Sequence, residues 1–133
     1  MAAPKRTSAE PADLRLRLPC EPTSIPQARA RIRDWVCRHA RVQRDLIADI
    51  QLAVTEAATN AVRHSGCDDF EVQGWISDDA TLTVAVWDHG PGRQGADPGL
   101  GLGTQIISEL AASVDYEQTE PGTRVTMRFS GDG

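Results

Sequence analysis

Residues 70–76 (FEVQGWI) and 81–87 (TLTVAVW) alternate apolar and polar side chains and are separated only by Ser77-Asp78-Asp79-Ala80. A period of two marks a strand, and a four-residue polar connection between two such runs predicts a β-hairpin. The rest of the chain is built to cover it. Ile47, Ile50, Val54, Ala57, Ala58 and Ala61 repeat at helical spacing, predicting a long helix from about Arg44 to His64 that ends at Ser65-Gly66. Ala28, Ile32, Trp35 and Val36 predict another helix over about 25–40, with Arg29, Arg31, Arg33 and Arg38 on its solvated side. Leu14, Leu16 and Leu18 alternate with Arg15 and Arg17 as a short strand ending at Pro19. Ile106, Ile107, Leu110 and Ala111 predict a helix over about 104–112, and 114–119 with 123–129 a closing hairpin around Glu120-Pro121-Gly122. The order β-α-α-β-β-α-β-β predicts a two-layer α/β sandwich, with helices on one face of a mixed, mainly antiparallel sheet.

The chain of 133 residues fits one domain, which we place at 13–133. Residues 1–12, rich in Ala, Pro and charge, read as a disordered tail. A formal net charge of −5 argues against an electrostatic grip on nucleic acid or an anionic membrane. The N-terminus has no apolar run of the signal-peptide kind, and no segment approaches a membrane-spanning length. Cys20, Cys37 and Cys67 are odd in number and widely spaced, so reduced thiols in a cytoplasm are expected. Of 14 basic residues only Lys5 is lysine. G-x-x-x-x-G-K-[ST] therefore cannot be written from this chain, and any phosphate site must use backbone N–H groups, arginine or a metal.

Three blocks carry chemistry. Glu56 and Asn60 lie four residues apart, so a carboxylate and an amide oxygen share a helix face with His64 one turn on. The amide oxygen is a hard ligand suited to Mg²⁺, and the carboxylate could take a proton from a hydroxyl; a polar stripe beside a buried helix is the plainer reading. Asp88-His-Gly90-Pro-Gly92 follows a strand end, where an Asp can accept from an exocyclic amine and glycines let backbone approach a flat ring. Alone it also reads as an ordinary turn. Gly99-Leu-Gly101-Leu-Gly103 opens into a helix, where backbone N–H groups and the helix dipole favour phosphate; its plainer reading is a flexible linker. Cys37, His39, His64 and Cys67 raise a metal site as a further reading, but structural zinc sites use tighter paired spacing. His89 is expected to face solvent.

In this order the blocks, with Gly122-Thr123 before the last strand, resemble the ATPase fold shared by histidine kinases, gyrase and MutL, known as the Bergerat fold. The wording Leu52-Ala-Val-Thr-Glu-Ala-Ala-Thr-Asn-Ala-Val-Arg-His-Ser65 is most similar to bacterial anti-sigma-factor serine/threonine kinases. The resemblance spans roughly 14–130 and implies roles residue by residue. Asn60 would hold Mg²⁺, and Glu56 would be general base for a partner's serine. Asp88 would accept from the adenine amine with Gly90 and Gly92 beside the ring, and Thr123 would support the base. Gly99, Gly101 and Gly103 would lie along the phosphates, with Arg93 of the short 93–98 lid on the γ-phosphate. ATP and Mg²⁺ are thus the implied cofactors. The implied partners are an anti-sigma-factor antagonist of the STAS type, which would be phosphorylated, and a sigma factor, which would be sequestered; homodimers are common in the family. Phosphoacceptor-histidine and DNA-passage domains are not recognised in the chain, and the Arg-for-Lys bias fits a GC-rich bacterial genome. The alternative is an ATP-gated protein-binding module without significant kinase activity.

Overall fold

The computed structural model describes residues 11–39, 42–64, 66, 68–77, 81–90, 102–119 and 122–130. Along these the chain forms β1 (Leu14–Pro19), α1 (Ser24–His39), α2 (Arg44–His64), β2 (Asp69–Ile76), β3 (Thr81–Asp88), α3 (Leu102–Leu110), β4 (Ser113–Gln118) and β5 (Thr123–Ser130). The strands form one sheet in the order β1-β2-β3-β5-β4. All four ladders are antiparallel. The two-layer sandwich expected from the periodicities is the observed architecture.

Alternation sets the two faces of the sheet. Phe70, Val72, Leu82, Val84, Val86, Met127 and Phe129 point to one side and form a single cluster with Ile32 and Val36 of α1 and Ile50, Val54 and Ala58 of α2. Each large aliphatic side chain removed from water there contributes roughly 1.5–3 kcal/mol. The arginines at 29, 31, 33 and 38 are all exposed, as their spacing requires. Helix α1 lies so close to the sheet that a Cβ on Gly74 would fall 2.6 Å from the ring of Trp35. Glycine is therefore the residue that lets the α1 indole lie against β2.

Two details depart from the sequence reading. Helix α3 begins at Leu102 rather than near 104 and ends at Leu110. Its end is drawn toward the sheet, because the Ala112 N–H donates to the Arg128 carbonyl at 2.8 Å. Cys20, expected as a reduced thiol, is disulfide-bonded, its partner lying outside the described residues; Cys37 is free and exposed. The ladder explains how a distant segment reaches Cys20, whose N–H donates to the Asp68 carbonyl at 2.9 Å. Among the described residues no helix is long and apolar enough to cross a membrane.

Candidate nucleotide site

Helix α2 presents Glu56 and Asn60 one turn apart, both half-buried, beside the buried stripe of Ala53, Ala57 and Ala61. The stripe consists of small residues, so the helix sits low on its neighbours while the two polar side chains stay at the edge of the interface. Two threonines flank them and are already engaged. The Thr55 hydroxyl donates to the Gln51 carbonyl and the Thr59 hydroxyl to the Thr55 carbonyl, each at 2.7 Å. This bonding to the preceding turn leaves Glu56 and Asn60 as the polar side chains of that stripe with no hydrogen-bond partner among the described residues.

Asp88 ends β3 on the helix-bearing side of the sheet, in phase with Leu82, Val84 and Val86. Asp88 as a whole is buried, at 9% exposure. The Gly90 N–H donates to its Oδ1 at 3.3 Å, and the Thr123 backbone N–H supplies a second bond. Burial pushes the carboxyl above its ordinary value, against the pull of those two N–H donors and of His89. An ionised carboxylate has about four lone-pair sites. Two backbone donors leave acceptor capacity, so the group fits an incoming N–H such as an exocyclic amine. Thr123 is half-buried directly opposite Asp88 in the β3–β5 register, and Gly90 is buried.

The turn into β5 is made for this pairing. Gly122 has φ +106°, and a Cβ there would lie 1.9 Å from the Asp88 carbonyl oxygen. No L side chain fits, and the close approach is what brings Thr123 under the carboxylate. Gly103 lies in the first turn of α3, at the helix terminus where phosphate recognition was expected. Gly92, Arg93, Gly99 and Gly101 lie outside the described residues. The structure thus brings Asp88, Gly90 and Thr123 together at one sheet end and places Glu56 and Asn60 on α2.

Residues 18–129 match the histidine kinase-like ATPase domain. The chain belongs to that family. Solved structures agree on the fold of this histidine-kinase-like ATPase domain. The RsbU and RsbW domains of Rv1364c from Mycobacterium tuberculosis match at a TM-score of 0.69 and 22% identity, over 88% of this chain and 32% of that one. This domain therefore spans about a third of the length of that protein. The SiaB-SiaC complex from Pseudomonas aeruginosa matches at a TM-score of 0.64 and 13% identity over 89% of both chains. The histidine kinase domain of a blue-light activated histidine kinase from Erythrobacter litoralis matches at 0.59 and 21% identity, over 86% of this chain and 62% of that one. No curated protein matches.

Several neighbours of Asp88 were not singled out in the sequence. His89, expected to face solvent, is half-buried: its ring lies 4.6 Å from that of Trp87, and its Nε2 is buried with no hydrogen-bond partner among the described residues. The Arg124 guanidinium stands 5.2 Å from the Trp87 ring centroid and donates to Glu117 at 3.0 Å, while Trp87 Nε1 donates to the Thr119 hydroxyl at 3.0 Å. Trp87 and His89 are two residues apart, so alternation already placed them on one side of an extended chain. Among the described residues no cluster of His, Cys, Asp and Glu is arranged to hold a metal ion, and Cys37 and His39 are exposed.

Proposed function

We propose that this histidine-kinase-like ATPase domain binds Mg-ATP and phosphorylates a serine of an anti-sigma-factor antagonist of the STAS type, and that it sequesters a sigma factor in the other arm of the switch. The observation that carries the reading is the buried Asp88 carboxylate, held by the Gly90 and Thr123 N–H groups with acceptor capacity left for an adenine amine. The RsbW domain and the SiaB-SiaC complex among the structural neighbours support the choice of regulatory class. Asn60 would supply the amide oxygen for Mg²⁺, whose contribution is to neutralise phosphate charge. Gly92, Gly99, Gly101 and Gly103 would line the nucleotide, and Arg93 would neutralise its γ-phosphate.

Glu56 would act on the incoming hydroxyl as general base. The serine oxygen attacks the γ-phosphorus, its proton passes to the Glu56 carboxylate, and the bond to the bridging oxygen breaks to release ADP. The domain would work in the cytoplasm.

The test is an ATP titration with and without Mg²⁺, alongside Asn60→Ala and Asp88→Ala. Binding that requires Asp88, and that Mg²⁺ strengthens only when Asn60 is present, is the expected result. With an antagonist in hand, Glu56→Gln should retain ATP affinity and lose roughly a hundredfold or more in phosphotransfer rate. Phosphorylation at the wild-type rate by Glu56→Gln refutes the base assignment, and wild-type protein that binds no ATP refutes the whole reading.

A further inference from the structure

Among the described residues five side-chain atoms are buried without a hydrogen-bond partner: Gln73 Oε1, Thr83 Oγ1, His89 Nε2, Tyr116 Oη and Arg124 Nε. Four of them face away from the helices. Gln73, Thr83 and Arg124 alternate with the core-facing residues, so they lie on the outer side of the sheet with the buried Trp75, and His89 packs against Trp87 on that side too. Tyr116 is the exception. It pairs with Val125 and alternates in phase with Val114, and both valines pack against the core, so its ring lies on the helix-bearing side of β4.

Two coordinates place it near the candidate site. Val86, Val125 and Tyr116 are cross-strand neighbours in one row of the sheet, and Asp88, Thr123 and Gln118 in the next. Tyr116 is thus the diagonal neighbour of Thr123, a span of roughly 7–8 Å that a long aromatic side chain bridges. Helix α3 gives the other coordinate. Only Ala111 and Ala112 connect it to β4, so helix and strand run back alongside each other from that turn. Tyr116 stands three residues into β4 from Ser113, about 10 Å. The helix covers about that distance in the seven residues from Leu110 back to Gly103. The phenol is therefore level with the first turn of α3.

No protein group there takes its proton. The Tyr116 ring is half-buried while its oxygen is sealed, so the hydroxyl points inward from the sheet edge and not out to water. The adjacent carboxylates are engaged elsewhere: Asp115 pairs with Arg128 and Glu117 with Arg124 on the outer side, and Glu109 is exposed in the last turn of α3. A buried hydroxyl without a partner destabilises the fold that holds it. Phenylalanine would fill the same space without that cost, so the hydroxyl stabilises only a state that brings it an acceptor. A phosphate oxygen is such an acceptor, and the first turn of a helix, with N–H groups that have no partner inside the helix, is where a phosphate settles.

We propose that Tyr116 is a further nucleotide-binding residue, its hydroxyl donating to a phosphate oxygen at the first turn of α3. This rests on the reading of the site as one for Mg-ATP. It gives Tyr116→Phe two opposite signatures: a free protein no less stable than wild type, and a weaker hold on phosphate. A tyrosine needed only for packing would show neither. The test is calorimetric titration of wild type and Tyr116→Phe with Mg-ATP, with adenosine measured as a competitor, and thermal unfolding of both free proteins. Tyr116→Phe should lose about tenfold or more in ATP affinity, keep its adenosine affinity, and unfold at or above the wild-type midpoint. Wild-type ATP affinity in the variant refutes the contact. An equal loss for adenosine also overturns it, because the hydroxyl would then act on the base and not on phosphate. A midpoint lowered by more than about 5 °C would mean that the hydroxyl is already partnered in the free protein, and the proposal falls. Wild-type protein that binds neither ligand is a different failure, since it removes the nucleotide reading itself and this contact with it.

Discussion

Gly122→Ala tests whether the geometry at Asp88 is set by the turn into β5. Two costs arise independently. At φ +106° an L side chain sits in a backbone region that costs about 1–2 kcal/mol. The new Cβ would also stand 1.9 Å from the Asp88 carbonyl oxygen, about 1.4 Å short of an ordinary C···O contact of about 3.3 Å. The atom it meets is backbone inside the β3–β5 ladder and cannot rotate away, so two paired strands must part at a further cost of about 1–3 kcal/mol. The sum, about 2–5 kcal/mol, is a large share of the roughly 5–15 kcal/mol that holds a domain together. With an unfolding entropy of about 2.1 cal/mol/K per residue over 133 residues, a loss of about 3 kcal/mol lowers the thermal midpoint by about 10 °C. Gly122→Asn separates the two costs, since Asn tolerates positive φ but keeps the Cβ. It should recover the smaller part and remain well below wild type. Thermal and urea unfolding of the three proteins would check this. An alanine variant within about 2 °C of wild type would mean that the hairpin yields freely, and the argument that Gly122 fixes Thr123 under Asp88 would fall with it.

Three more predictions rest on single contacts. Gly74→Ala places a methyl 2.6 Å from the Trp35 ring and should cost about 1–3 kcal/mol by urea unfolding, with Trp35→Leu in the same chain restoring part of it. The carboxyl of Asp88 titrates above its ordinary value because it is buried. The folded state therefore takes up this proton before the unfolded state does, and the stability it adds is fully present below the unfolded value of 3.8 and is lost as pH rises through the folded value. Asp88→Asn should accordingly be at least as stable as wild type at pH 7, with the advantage vanishing on acidification, while ATP affinity is lost; a neutral-pH loss of more than about 1 kcal/mol would mean that the Gly90 and Thr123 bonds outweigh burial. Acidification of wild type should weaken ATP binding at pH values above those expected for an exposed aspartate, a shift readable by calorimetric titration at a series of pH values.

How much was legible in the sequence depended on how local the cause was. Helix α2 was readable to its ends, because Ile50, Val54, Ala57 and Ala61 repeat at the helical period over 21 residues. The hairpin of β2 and β3 was equally plain from alternation. Helix α3 begins two residues before the expected start, inside a stretch whose glycines argued for a loop. The Asp88 carboxylate was found by its position at a strand end, but its N–H partner on Thr123 depends on the β3–β5 register, a pairing of segments 35 residues apart (88 against 123). His89 was misjudged because its partner Trp87 was read only as part of a strand. Cys20 was misjudged because its neighbours come from the far side of two helices. The burial of Trp75 had no signature at all, since alternation says which side a residue faces and not whether that side is covered.

The two halves of the candidate site have different mechanical support. Glu56 and Asn60 ride on a helix whose buried face is part of the main core, so their placement is as stable as the domain itself. Asp88 and Thr123 meet at the end of a ladder, where two strand termini are held by a glycine turn and two N–H bonds to a carboxylate that burial disfavours in its charged form. A ligand donor reaching Asp88 would offset part of that cost, so binding should order this end more than it orders α2. The stabilisation expected from a bound nucleotide, about 2.7 kcal/mol at a hundred times its dissociation constant, should then appear in hydrogen exchange as slowed opening at the ends of β3 and β5, with the α2 core changed less. Equal protection across α2 and the strand ends would mean that the site opens only with global unfolding, and that Asp88 is held as rigidly as the helix.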